Sequence, residues 1–481
     1  MRKKIKDSVT CFLILIIVVS VSCDGEIRTR IIEENQPSNE DQIEDYVLDQ
    51  DSVGARVENS AILDSAILDL EPRVDSADVL LQADHEPLLA RMESGAIVKR
   101  LEIPSEPLRF ERPEAVKGIY VNAWAAGSKT RSEHLIDLAM RTEINSFVID
   151  IKDASGYVSH PTRVEMAQQV GADQQIRIRD LLGLLDLLHK NGIYPIARIV
   201  VVKDPLLTKS NPELAIQDTA GGVWIDEKGA SWANLFEGSV WDYHLSLAEE
   251  MIAIGFPEIQ WDYIRFPDSP KTHLERASFP NSIGRTKSEA VSGFLDHVGK
   301  QIRSEKVAMT ADVFGATTSL NYDLGIGQLW EEVVKRVDVV LPMVYPSHYW
   351  PGSFNIEKPN QHPYEVVKAA LADGLERSSK VEEAGSIRPW LQDFSLGIPP
   401  YGGPEIRAQI QATYDVGIKE WILWNASSRY SEEGLAPNGG FLDTSEPMMR
   451  FNGGLVPVSS PILDRDSLEA ILQVDTLVKF Q

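Results

Sequence analysis

The chain has 481 residues, 43% hydrophobic and 25% charged, with a formal net charge of −25 at pH 7. That composition fits a globular protein long enough for one large domain with appendages. The acidic balance argues against a nucleic-acid partner, whose phosphates call for Lys and Arg, and against adhesion to anionic lipid surfaces.

Arg2, Lys3, Lys4 and Lys6 precede an apolar run at 11–21 that is too short to span a bilayer, the pattern of a secretion signal. The run closes with Ser20-Val21-Ser22-Cys23, small residues before a cysteine as in a bacterial lipobox. Residues 1–22 therefore read as a lipoprotein-type signal peptide and Cys23 as a lipidation site. This implies an exported envelope protein, on the periplasmic or surface side of a bacterial membrane, with the lipid bilayer as a partner. Cys11 and Cys23 are the only cysteines, so the exported chain is expected to have neither a disulfide nor a thiolate nucleophile. Residues 23–106 are acidic and poor in aromatics and carry a tandem pentad, SAILD at 60–64 and again at 65–69. They read as a tether, largely disordered or partly helical.

Eight short runs follow, each β-branched or aromatic-rich and ending in polar residues. They are 118–124 (GIYVNAW), 144–153 (INSFVIDIKD), 193–204 (IYPIARIVVVKD), 258–267 (EIQWDYIRFP), 307–315 (VAMTADVFG), 337–349 (VDVVLPMVYPSHY), 388–395 (RPWLQDFS) and 420–428 (EWILWNASS). Near-continuous apolar runs are the signature of parallel strands buried on both faces. Helical periodicity fills the gaps at 131–142, 176–191, 243–255, 288–303, 329–336, 363–371 and 404–416, with Ser132 as the expected cap of the first helix and Gly192 as the stop of the second. Eight such units predict an α/β fold, a (β/α)8 TIM barrel over 107–450, with long rim insertions at 206–240, 268–287 and 351–362. The tail at 451–481, with Ile462, Leu468, Ile471 and Leu472, is expected to pack a small helix on the barrel.

Barrels of this kind carry their chemistry at the C-terminal ends of the strands. In the fourth run Asp262 lies three residues before Arg265 and next to aromatic rings, and pairing with an arginine would keep a carboxylate ionised. Asp312, in the fifth run, has apolar neighbours that should push its pKa up toward general-acid duty. Adjacent strand ends bring two carboxyls to roughly 5–6 Å, the spacing of retaining glycoside hydrolysis, which makes Asp262 and Asp312 the catalytic candidates. Asp150 and Lys152 share one face of the second run and are expected to pair at the mouth. Arg265, Tyr345, His348, Trp390, Gln392, Asp393, Trp424 and Asn425 complete the candidate substrate-binding set. Aromatic planes stack on sugar C–H faces while polar side chains take up the hydroxyls. There is no Gly-rich phosphate loop, no GxSxG elbow, no HExxH and no cysteine cluster, so neither a cofactor nor a metal is expected.

Together KGIYVNAW, FVIDIKDASG, DYIRFP, ADVFG, LPMVYPSHY, WLQDF and WILWNASSRY resemble the bacterial glycoside-hydrolase-type domains of the DUF4015 group, over about 117–430. The resemblance implies a TIM-barrel glycosidase domain distantly similar to the α-amylase barrels, with the nucleophile at the end of strand four, which is Asp262, and the acid near strand five. In amylase-type barrels that acid is usually Glu, whereas this chain has Asp312. The function implied is hydrolysis of a polysaccharide or oligosaccharide by two carboxylates. The alternative is a non-catalytic saccharide-binding lipoprotein on a degenerate barrel. The oligomeric state is not legible in the sequence.

Overall fold

The computed structural model describes residues 16–21, 27–32, 100–438, 448–451 and 454–457. Residues 1–59 and 60–481 cluster as two separate units. In the first, Ile16–Val21 and Ile27–Ile32 form an antiparallel pair. The signal-peptide and tether readings otherwise lie outside the described residues, as do Cys23 and the helix expected after residue 457. Met448–Phe451 and Gly454–Pro457 form a second antiparallel pair.

The second unit contains the barrel. Its strands are β1 (Lys117–Val121), β2 (Ser146–Lys152), β3 (Tyr194–Val200), β4 (Glu258–Asp262), β5 (Ala308–Phe314), β6 (Val339–Met343), β7 (Trp390–Gln392) and β8 (Trp421–Trp424). Each pairs in parallel with the next, and β8 pairs with β1, so the sheet closes on itself. All eight runs expected to be strands contain one. The seventh is split: Ser386–Ile387 pairs with the start of β6, and Pro389, which has no N–H to give the ladder, precedes β7.

Each of the first seven strands is followed by a helix that returns the chain to the next strand, α1 (Lys129–Arg141), α2 (Leu181–Lys190), α3 (Gly238–Ile254), α4 (Lys287–Ser304), α5 (Trp330–Val334), α6 (Pro363–Ser378) and α7 (Gly403–Asp415), and shorter helices such as Ala123–Gly127 lie in the intervening loops. The cap of α1 is Ser128, not Ser132: the Ser128 hydroxyl accepts from Arg131 N, while Ser132 Oγ, one turn inside, donates to the Lys129 carbonyl. After α2, Gly192 has φ +66°, the left-handed stop its position suggested. The rim insertions after β3 and β4 are stitched together by Gln217–Asp218 pairing antiparallel with Ala277–Ser278.

Buried side chains fall into two clusters, as a sheet covered on both faces requires. The larger lies between strands and helices. The smaller, which includes Tyr120, Val148, Tyr194, Ile196, Val339, Leu341, Tyr345, Trp390 and Ile422, fills the barrel interior. Period-two alternation sends Asp150, Arg198, Gln260, Asp262, Asp312, Gln392 and Trp424 to that same interior face.

Candidate active site at the strand tips

The barrel interior is polar in tiers. At the N-terminal end Arg388 Nη1 donates to Glu258 Oε1 at 2.6 Å and Arg388 Nε to Glu420 Oε2 at 2.8 Å. Glu258 is on β4 and Arg388 just before β7, so this pair crosses the barrel. Toward the C-terminal end, Asp312 receives Gln260 Nε2 at 3.0 and 3.1 Å on its two oxygens and Trp390 Nε1 at 2.8 Å on Oδ1. At the C-terminal end Arg198 links two carboxylates. Its Nη1 donates to Asp150 Oδ1 at 2.5 Å and its Nε to Asp262 Oδ2 at 3.0 Å, with Nη2 closing a second bond to the same Asp262 oxygen. Tyr120 donates its hydroxyl to the other Asp150 oxygen. The Arg198 guanidinium also lies 5.2 Å from the Trp424 ring and 5.4 Å from the Tyr120 ring, and those rings stack on each other at 4.1 Å.

Asp312 Oδ2 is 4.0 Å from Arg198 Nε, so both predicted catalytic carboxyls have an oxygen within 4.0 Å of one nitrogen. Their settings differ. Asp262 is fixed by Arg198 and by the Tyr263 N–H at 2.5 Å. Asp312 is fully buried, and burial, reinforced by the Asp262 charge, pushes its carboxyl well above the usual range. Arg198 and the N–H donors of Trp390 and Gln260 oppose the shift without cancelling it. Burial also raises Asp150, to about 6, against the pull of Arg198 and Tyr120. For Arg198 burial works the other way, and Asp150 and Asp262 outweigh it to hold the guanidinium charged. Just past the end of β4, Tyr263 sits at φ +52°, a conformation costly for a residue with a β-carbon. The strand ends at Asp262, immediately before this residue.

Two expected pairings are corrected. Arg265 is not the partner of Asp262: past the Tyr263 turn its guanidinium packs against the rings of Phe314, Tyr263 and Trp232 at 4.7, 4.8 and 5.0 Å, and its Nη1 reaches Asp268 at 3.4 Å. Nor does Lys152 pair with Asp150. The β2–β3 register shifts between these two residues, and the fully buried Lys152 bonds to Asp204 at 2.9 Å and to the Val200 carbonyl at 2.8 Å. Trp390 is in the network as the donor to Asp312. The Gln392 amide is occupied by the Ser347 N–H and hydroxyl at 3.1 and 2.9 Å and by the Phe394 carbonyl at 2.9 Å. Asp393 holds Ser431, at 3.0 Å from its N–H and 2.9 Å from its hydroxyl, and burial raises its carboxyl to about 6. Asn425 ties the Asp393 carbonyl to Ser427. His348 and Tyr345 pack edge-on, 5.4 Å apart, over Phe394. Trp424 and Asn425 alone of the predicted set are only half-buried.

Sequence reasoning missed Arg198, Tyr120 and Gln260, which hold the carboxyls in place. The signal for Arg198 was present: a lone arginine in an otherwise apolar, doubly buried run needs carboxylates. Among the described residues no group of three or more His, Cys, Asp or Glu is arranged to hold a metal ion.

A closed parallel barrel with unlike carboxyls at its strand tips defines the class: a TIM barrel of the glycoside-hydrolase type. The family model DUF4015, described as "Putative glycosyl hydrolase domain", matches residues 118–430, and the chain belongs to that family. No curated protein matches in sequence. Among solved structures, a hypothetical protein from Ruminiclostridium thermocellum ATCC 27405 is 36% identical, over 40% of this chain and 97% of that one, with a TM-score of 0.37. The PgaB (BpsB) glycoside hydrolase domain from Bordetella bronchiseptica is 14% identical, over 64% and 94%, with a TM-score of 0.46. The glycoside hydrolase domain of PelA from Pseudomonas aeruginosa is 13% identical, over 66% and 97%, with a TM-score of 0.38.

Proposed function

We propose that the protein hydrolyses glycosidic bonds of a polysaccharide by a two-carboxylate mechanism, with Asp262 as nucleophile and Asp312 as general acid and base. One observation carries this reading: Asp262 at 3.0 Å and Asp312 at 4.0 Å converge on Arg198 Nε, and burial with the Asp262 charge pushes the Asp312 carboxyl well above its usual range. Carboxyls driven apart in this way divide acid and base roles between them. Asp312 gives its proton to the leaving glycosidic oxygen as Asp262 bonds to the anomeric carbon. Asp312 then takes a proton from the water that attacks the glycosyl–Asp262 ester, restoring both groups. Arg198 pairs with the Asp262 carboxylate, and Trp424, 5.2 Å from the same guanidinium, offers a stacking face. Cys23 lipidation would place the enzyme in the cell envelope, facing polysaccharide there or in its surroundings.

A second assignment keeps the reaction and moves the proton to Asp150, whose carboxyl is raised to about 6 on the other side of Arg198. The test measures reducing ends released from envelope polysaccharides and peptidoglycan by the wild type and by Asp262→Asn, Asp312→Asn and Asp150→Asn. Loss of hydrolysis in the first two, with thermal midpoints nearly kept, is the expected result. Loss in Asp150→Asn with retention in Asp312→Asn moves the acid to Asp150. Glycan binding without turnover, indifferent to all three changes, makes the chain a saccharide-binding lipoprotein instead.

A further inference from the structure

Directly after β1 the short helix Ala123–Gly127 buries Ala123, Ala125 and Ala126 and leaves Trp124 55% exposed. The helix is rigidly seated. The Asn122 side chain accepts from Ala125 N at 2.9 Å and donates to the Ala426 carbonyl at 2.9 Å, and its backbone N–H donates to Ser428 Oγ at 2.9 Å. Gly127 lies so close to the loop before α2 that a β-carbon there would come within 1.8 Å of the Arg177 carbonyl oxygen. Arg177 in turn sets the indole: its guanidinium lies 5.3 Å from the Trp124 ring and 5.5 Å from the Tyr157 ring. The Arg177 side chain is only 5% exposed and is pinned by Asp153 and, through Nη2, by Ser155 Oγ at 3.4 Å and Gln175 Oε1 at 3.3 Å.

A fixed, half-open indole backed by a guanidinium is built unlike a stray surface aromatic, which has neither a locked backbone nor a locked partner. Its place matters equally. Trp124 is four residues beyond Tyr120, and Asp153, which holds Arg177, is three beyond Asp150, so this platform occupies the rim of the same two strands that supply the Tyr120–Asp150 bond. A flat apolar face with polar groups at its edge is the chemistry that receives a pyranose ring.

Building on the glycosidase reading, we propose that Trp124, backed by Arg177 and Tyr157, forms an outer sugar-binding subsite. The substrate is accordingly a polymer that continues past the catalytic carboxyls across the β1–β2 rim, not a short oligosaccharide.

The test uses the full chain in an Asp262→Asn background, so that binding is read without turnover, by affinity electrophoresis through gels of soluble xylan, β-glucan, galactan and glycol chitin. At least one polymer is expected to retard the parent. Trp124→Ala should then weaken that retention roughly five- to tenfold, within the range of one aromatic stacking contact, and Trp124→Tyr should restore most of it. The thermal midpoint should not move, because the indole is exposed. Equal retention of Trp124→Ala and its parent, or no retention of the parent by any polymer, overturns the subsite. In otherwise wild-type chain, Trp124→Ala should raise KM for the polymer while leaving kcat unchanged. Should hydrolysis never be found while retention stays Trp124-dependent, the glycosidase reading falls and the subsite stands.

Discussion

Replacing Arg198 with methionine is the sharpest perturbation of the strand-tip network. The change keeps the stem and removes the one cation that Asp150 and Asp262 share. Both carboxylates are buried, and breaking a buried ion pair by removing one partner costs about 3–5 kcal/mol, most of it the stranded charge. The stranded groups can escape by taking protons, so the cost must depend on pH. Without Arg198 the folded-state pKa of Asp150, already raised to about 6, rises further above its unfolded value. A carboxyl raised on folding is neutral in both states at low pH, and stability is lost as pH rises through the folded pKa. Arg198→Met should therefore unfold about 3–5 kcal/mol more easily than wild type by urea at pH 8, and much less so at pH 4.5. Adding Asp262→Asn should return part of the pH 8 loss. A penalty equal at both pH values, or below about 1 kcal/mol at pH 8, would refute the view that Arg198 neutralises two buried charges.

Trp390→Phe removes a donor that favours the ionised form of Asp312, so the basic limb of the pH–rate profile should move upward, with KM little changed; an unmoved limb detaches Asp312 from the proton transfer. Asp393, raised to about 6 by burial, costs stability as pH climbs from about 4 to 7, by about 3 kcal/mol over that range. Asp393→Asn should flatten that part of the stability–pH curve, as read by urea midpoints across the range, and a curve of unchanged slope contradicts the assignment.

The barrel was legible because its evidence is repetitive. Eight apolar runs and seven intervening helical periods each say the same thing, and an error of a few residues at one boundary leaves the topology intact. The α1 cap shows the scale of such errors, since Ser128 and Ser132 are both good cap residues one turn apart. Side-chain partnerships had no such redundancy. Alternation along a strand assumes an unbroken pleat, and the register shift in β2 takes Lys152 out of Asp150's company. The same assumption cannot see the Tyr263 turn, which carries Arg265 off to its aromatic neighbours. Arg198 was overlooked for another reason: in a run that otherwise reads as continuous core, one charged residue looks like noise until the carboxylates opposite it are known.

Buried charge alone does not locate the site, because the opposite end of the barrel has it too. There Arg388 is matched with Glu258 and Glu420, and although burial alone would raise the Glu420 carboxyl, Arg388 and Arg112 hold it below its usual range. Charges so matched do the work of a plug, and apolar groups of similar volume do that work equally well. At the strand tips the outcome is the reverse, with Asp312 and Asp150 driven up beside Asp262. The double variant Glu258→Gln, Arg388→Met makes the comparison. The amide that replaces the Glu258 carboxylate would keep an acceptor near Tyr194, whose hydroxyl is raised by burial and the Glu258 charge, and Glu420 would keep Arg112 at 2.6 Å. Hydrolysis should survive, with stability within about 2 kcal/mol of wild type or above it, whereas Asp262→Asn and Asp312→Asn should each abolish turnover with the fold intact. If the double variant folds to the same thermal midpoint yet loses hydrolysis, the two tiers are coupled, and the distinction between plug and catalyst is wrong.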